Sequence, residues 1–271
     1  MPAWRMTFSR RAVESEGVTI SYLDSGRKVA TIVILHGLAG SATEFIPTAE
    51  SLSDFRVLLV DQRGHGRSTR VPAPASRAAF VADVIRVIQA EVEGPVSLVG
   101  QSMGAHTAMM VAAARPDLVE RLVLLEGGAG SGDPAENAKL GDHFRSWPLP
   151  FADNIAAREY LGNGLLEQAW VADLEKRHDG LYPRFDPDVM VQTIDAVAAP
   201  RWKEWESVSA PTLVVYANGG IFVEEDKAEF GRRGQRAQRI DIPDASHDAH
   251  LDAFDRWVEI LHLFLRQDQP R

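Results

Sequence analysis

Between Val18 and Leu125, short unbroken apolar runs alternate with segments whose apolar residues recur at helical spacing. Thr31 to Leu35 reads Thr-Ile-Val-Ile-Leu; Arg56 to Val60, Val96 to Val99 and Leu122 to Leu125 repeat the type. Runs with no polar alternation suit strands buried on both faces of a parallel sheet. Val18 to Leu23 predicts a further strand, closed by the turn residues Asp24-Ser25-Gly26. Helical patterns fill the gaps, near 43–53, 76–92 and 103–114. Strand, helix, strand at this spacing predicts right-handed crossovers and helices on both faces of the sheet.

The pattern changes after Leu125. From Gly127 to Pro200 no buried strand is evident. A glycine-rich stretch, Gly127 to Gly132, leads into helical pieces carrying Trp147, Trp170 and the segment Leu165 to Lys176. Asp186-Pro187-Asp188 has the form of a helix start, with Asp186 as N-cap and Pro187 in the first turn. Strands resume at Thr212 to Tyr216 and Gln238 to Ile242, and Leu251 to Leu265 reads as one closing amphipathic helix. The expected organisation is an α/β core from residues 1–129 and 201–271, with a mostly parallel central sheet, and a helical cap inserted at 130–200.

Composition narrows the function classes. The chain has 271 residues, 45% hydrophobic and 25% charged, enough apolar material for a large core. Its net charge of −9 and the lack of a basic block argue against a nucleic-acid partner. There is no cysteine, which excludes disulfides, thiolate metal sites and a cysteine nucleophile. Met1 to Arg11, with Trp4, Arg5, Arg10 and Arg11, has no apolar stretch of signal-peptide length, and no run nears the roughly 20 apolar residues of a membrane helix. A cytoplasmic protein with no membrane partner is expected. Oligomeric state is not readable from the pattern.

The candidate chemistry centres on Gly100-Gln101-Ser102-Met103-Gly104, placed after one apolar strand and before the helical run Ala105 to Ala114. A serine on a sharp strand-to-helix turn has its side chain thrust outward, and small flanking residues let strand and helix approach. His36-Gly37-Leu38-Ala39-Gly40 follows the Thr31–Leu35 strand. The amides of Leu38 and Met103 are the expected oxyanion donors. A base must reach the serine from a loop at the same sheet edge, and His247, between the last strand and the last helix, fits. His250, at the helix start, does not. His36 is read as shaping its turn, His65 as part of a structural loop tied through Asp61 and Arg63, and His106 either as packing or as lining the pocket.

These motifs together resemble the α/β-hydrolase superfamily, in its branch of small serine ester hydrolases with a helical cap. The resemblance rests on His36-Gly37, on Asp61-Gln62-Arg63-Gly64-His65-Gly66-Arg67-Ser68, and on the elbow at Ser102. Arg115-Pro116, Arg121–Leu125, Ala210-Pro211-Thr212-Leu213-Val214-Val215 and His247 extend it over nearly the whole chain. It implies a catalytic triad, an oxyanion hole and no cofactor or metal. One position departs from it: the family's usual acid falls at Gly220, which has no side chain. Glu126, at the end of the Arg121–Leu125 strand, resembles the arrangement of members that take their acid from that strand; a solvated strand-end residue is the other reading.

The expected activity is cleavage of a carboxylic ester of a small, partly apolar substrate through an acyl-serine, with Ser102, His247 and Glu126 as the triad. His36, Gly37, His106, Trp147 and Trp170 are expected at the substrate pocket. A lyase or cofactor-free perhydrolase on the same site, and a ligand-binding receptor with vestigial catalysis, remain the alternatives.

Overall fold

A computed structural model of the chain describes residues 7–26 and 30–266. Trp4 and Arg5, part of the N-terminal reading above, lie outside the described residues.

The chain opens with an antiparallel pair, β1 (Ser9–Ser15) and β2 (Val18–Asp24). Then β3 (Thr31–Leu35), α1 (Ile46–Ser51), β4 (Arg56–Val60), α2 (Arg77–Glu91), β5 (Val96–Gln101), α3 (Met103–Ala114) and β6 (Val119–Leu125) alternate. The insertion follows: α4 (Pro134–Arg145), α5 (Asn154–Leu161), α6 (Leu165–Asp173), a small hairpin of β7 (Glu175–Arg177) and β8 (Gly180–Tyr182), and α7 (Pro187–Val197). The chain returns through α8 (Trp202–Ser207), β9 (Thr212–Gly219), α9 (Glu224–Arg233), β10 (Ala237–Ser246), α10 (Ala249–Asp252) and α11 (Phe254–Leu265).

Eight strands form one sheet in the order β1-β2-β4-β3-β5-β6-β9-β10, parallel from β4 onward. The unbroken apolar runs serve both faces at once. Val33 and Leu35 of β3 face one core, with Leu58, Leu98, Leu122 and Val214 of neighbouring strands. Ile32 and Ile34 face the other, with Leu59, Val99, Val123 and Leu213. The first core is closed by α2, α3, α8 and α9, the second by α1 and α11.

The insertion has its own apolar cluster, built on Phe144, Trp147, Phe151, Val171, Phe185 and Met190, with Ala39 of the main sheet's loops joining it. Asp186 caps α7 as expected, accepting from the amides of Asp188 and Val189. Two local expectations change, and one strand was not expected. The helix predicted over Leu165–Lys176 stops at Asp173, and Glu175–Arg177 forms a strand. The closing helix breaks at Ala253 into α10 and α11. The strand β1 had no sequence forecast, because its mostly exposed Ser-Arg-Arg-Ala-Val-Glu-Ser lacks an apolar run. It lies at the sheet edge, where one face and one side meet solvent. Among the described residues no helix is long and apolar enough to cross a membrane.

Candidate active site

Ser102 sits between β5 and α3 at φ 53° and ψ −117°, a conformation outside the ordinary allowed regions for a side-chain-bearing residue. The strain is held from both sides. Its amide donates to the Leu125 carbonyl at 2.9 Å, and its carbonyl accepts from the His106 amide at 3.1 Å. The flanking glycines are required by close approach: a Cβ on Gly100 would lie 2.3 Å from the Gly104 carbonyl oxygen, and one on Gly104 would lie 2.3 Å from that of Leu35. Met103 is the first residue of α3, so its amide has no acceptor within the helix.

The turn after β3 is set by His36. Its Nε2 accepts from the Gln62 amide at 3.0 Å, so the ring proton resides on Nδ1, which donates to the Gly37 carbonyl at 2.7 Å. Gln62 returns a bond from its own Nε2 to the His36 carbonyl. Both nitrogens of His36 are thereby occupied, which removes it as a base. Asp61 braces the neighbouring loop by accepting from the amides of Ala42 and Arg67 and from Arg10. Arg63 forks onto Asp83 at 2.6 and 2.7 Å.

Glu126 lies one residue beyond β6, buried and at φ 50°. Its amide donates to the Val215 carbonyl, which continues the β6–β9 register past Leu125. The side chain then crosses toward the end of β9. Oε1 accepts from the Ala217 amide at 2.8 Å, and Oε2 from the Ile221 amide at 3.1 Å. Oε2 also stands 3.0 Å from Nδ1 of His247, in the loop between β10 and α10. Gly220 explains the fit. A Cβ there would fall 2.3 to 2.5 Å from the Glu126 carboxylate atoms. The carboxylate of Glu126 thus fills the space in which a side chain at 220 would begin.

Sequence reasoning missed two ties. Gln101 donates from Nε2 to the His247 carbonyl at 3.3 Å and to Asp248 Oδ1 at 3.4 Å, joining the serine turn to the histidine loop. A Cβ on Gly37 would strike its Oε1, so Gly37 makes room for that side chain. The second tie is a buried pair: His250 Nε2 lies 2.6 Å from Glu44 Oε1, with the imidazole stacked on Phe45 at 4.4 Å. A carboxylate 206 positions away from its histidine offers no linear signal.

Ser102, Met103, His106 and Glu126 line one cleft of about 140 Å³, completed by Gly128, Gly130 and Ser131, by Ile194 and Val197 of α7, and by Ile221, Phe222 and Asp226. Its walls therefore come from the core and the insertion together. The other expected pocket residues are placed elsewhere. Trp147 and Trp170 line a separate cavity with Glu44, Asp173 and Arg184, because their rings pack against Phe144 and Phe185 inside the insertion. His36 and Gly37 do not line the cleft: His36 is buried by its backbone bonds, and Gly37 is covered by Gln101. His106 does line it, and burial, reinforced by Arg77 and Arg201, pushes its ring down to about 3, so it is neutral at ordinary pH.

Chemically, the cleft offers a hydroxyl on a strained turn with helix N-terminal amides beside it, and Glu126, which also lines it, faces Nδ1 of His247. Among the described residues no group of three or more His, Asp or Glu side chains could hold a metal ion.

The model of the Alpha/beta hydrolase family matches residues 32–260. The chain is 28% identical over 263 residues to the sn-1-specific diacylglycerol lipase ABHD11 of Mus musculus, covering 92% of this chain and 85% of that one. It is 29% identical over 222 residues to a 2-hydroxy-6-oxononadienedioate/2-hydroxy-6-oxononatrienedioate hydrolase of Cupriavidus pinatubonensis, covering 75% of each. The crystal structure of E-2-(acetamidomethylene)succinate hydrolase superposes with a TM-score of 0.86 at 22% identity, over 96% of this chain and 99% of that one.

Proposed function

The chain belongs to the α/β-hydrolase family, and from that premise we propose that it is a serine hydrolase that cleaves a carboxylic ester of a small, partly apolar molecule through an acyl-serine. The observation that carries this reading is the meeting of His247 Nδ1 with the buried Glu126 carboxylate at 3.0 Å, beside a cleft that Glu126 shares with Ser102.

In this mechanism Nε2 of His247 takes the proton of Ser102 as its oxygen attacks the ester carbonyl. The amides of Leu38 and Met103 hold the oxyanion. Collapse breaks the carbon–oxygen bond, and His247 returns the proton to the leaving alcohol. A water, deprotonated by His247, then attacks the acyl-serine, and the acid leaves as His247 returns that proton to the Ser102 oxygen. Glu126 keeps the proton of neutral His247 on Nδ1 and stabilises the imidazolium. Residues 130–200 are the cap in this reading, over a core of 1–129 and 201–271. The substrate is a small molecule, and no cofactor enters the mechanism.

A second reading has its own support. The name of the Cupriavidus relative describes a keto acid with two carboxylates and no ester, so its hydrolysis breaks a carbon–carbon bond. The same groups, His247 and the two amides, would serve that bond.

Hydrolysis of p-nitrophenyl butyrate by the native chain and by Ser102→Ala tests the proposal. Turnover that disappears in the variant, together with an acyl mass on the Ser102 peptide after rapid quenching, is the expected result. Equal rates in the two proteins would exclude Ser102 as the nucleophile.

A further inference from the structure

Beside the cleft lies an arginine that no carboxylate among the described residues pairs with. Arg77 opens α2 and is only 2% exposed. Its guanidinium lies over the Phe80 ring at 4.5 Å, and Nη2 donates to the Met103 carbonyl at 3.4 Å and to Thr107 Oγ1. Among the described residues Nε and Nη1 find no partner. Burial pulls Arg77 down to about 9, and Arg201 pushes the same way; it still carries its charge at neutral pH. Leaving a buried charge unpaired is strongly unfavourable, so a group of this kind calls for a counter-charge.

The surroundings point to where that counter-charge binds. His106, which lines the cleft, has both ring nitrogens without a partner, and Arg77 and Arg201 stand close enough to shift its titration. The Nε of Arg201 is also buried and unpartnered, while its Nη1 reaches Glu204 at 3.4 Å. These side chains come from α2, α3 and the approach to α8. They supply more donors than acceptors, which matches the several lone-pair sites of a carboxylate.

We infer that the Ser102 cleft takes a substrate bearing a free carboxylate, held by His106 with Arg77 and Arg201, a short chain away from the carbonyl that Ser102 attacks. The inference rests on the serine-hydrolase reading for the reaction, but not for the binding. His106 lies one helical turn from Ser102, about 6 Å along α3. That separation fits a spacer of roughly two or three methylenes, as in a half-ester of a short dicarboxylic acid.

The test compares mono-p-nitrophenyl glutarate with p-nitrophenyl butyrate on the native chain, and measures thermal unfolding with and without free glutarate. The expected result is a kcat/KM about 10- to 100-fold higher for the anionic ester, expressed in KM, and a higher Tm in glutarate. In Arg77→Met the ratio of the two esters falls toward one. If that variant does not fold, the two native-chain measurements still decide. Equal kcat/KM for both esters with no glutarate effect on Tm would overturn the inference while leaving the esterase reading intact. No turnover of either ester, with Tm still raised by glutarate, would overturn the esterase reading and leave the carboxylate site standing. If neither ester turns over and glutarate leaves Tm unchanged, both readings fall.

Discussion

Two histidines three residues apart each face a buried carboxylate, and their surroundings separate them. His247 meets Glu126 at 3.0 Å through Nδ1, and its side chain keeps 25% of its surface exposed. His250 meets Glu44 at 2.6 Å through Nε2, is fully buried, and lies flat on Phe45. In the first pair Nε2 is left for a reacting group. In the second the remaining nitrogen, Nδ1, is sealed without a partner. Glu44 also sits under the turn after β3, where a Cβ on Gly40 would approach its Oε2 to 2.8 Å. A histidine–carboxylate pair is therefore not a catalytic signature by itself. Access and the choice of ring nitrogen assign the His247 pair to the proposed reaction and the His250 pair to fastening α10 against the turn after β3.

Breaking the first pair should have the largest effect. Glu126→Gln keeps the size but has a single oxygen, so it retains the bond from Ala217 or from Ile221, sets its NH2 against the other amide, and removes the charge that stabilises the imidazolium. A loss of roughly a thousand- to ten-thousand-fold in kcat is expected, beside a fall of about 1–3 kcal/mol in unfolding free energy from the amide left unpaired. Near-native turnover in this variant would return Glu126 to a structural role.

Crowding the same carboxylate should cost less. In Gly220→Ala the new methyl falls on the Glu126 oxygens, so the carboxylate must move and His247 with it. A fall of about 10- to 100-fold in kcat/KM is expected from a displacement of this size. The double variant Glu126→Ala with Gly220→Asp sharpens the comparison. It moves the acid to the neighbouring strand end and should turn over faster than Glu126→Ala alone. Equal rates in those two proteins would mean that the two positions do not share one seat.

The second pair should answer in stability instead. Glu44→Gln weakens the bond to His250 and should lower unfolding free energy by about 1–3 kcal/mol. Turnover well below the melting transition should stay close to native. A drop in kcat as deep as that of Glu126→Gln would erase the distinction drawn between the pairs.

Much of this arrangement is legible in the sequence, for reasons that are local. Gly100 and Gly104 are needed because a strand must turn into a helix within a few residues, and neighbouring backbone leaves no room for a Cβ. The runs Thr31–Leu35 and Leu122–Leu125 read as doubly covered strands because both sets of alternate residues are apolar. His247 is legible as a loop histidine between a strand and a helix. The tryptophans are less informative. Their size says that they are buried, but a ring packs where its neighbours are, and Trp147 and Trp170 find theirs inside the insertion. Arg77 reads as an ordinary first-turn residue of α2. Only its burial, and the want of a carboxylate near it, marks it out.

The sequence by itself determined the order of the apolar strands of the sheet and the helices between them, the serine turn and the two glycine approaches, because these depend on residues within one turn of each other. The tertiary structure alone decided that Glu126 reaches across to Gly220 and His247. That contact depends on β6 and β9 pairing in one register, Leu125 beside Val215, and on a β10 whose end brings His247 alongside. The partners are separated by 94 and 121 positions along the chain (Glu126 to Gly220, and Glu126 to His247). A one-residue slip would turn alternate side chains to the opposite face, and no local pattern records which register the sheet adopts.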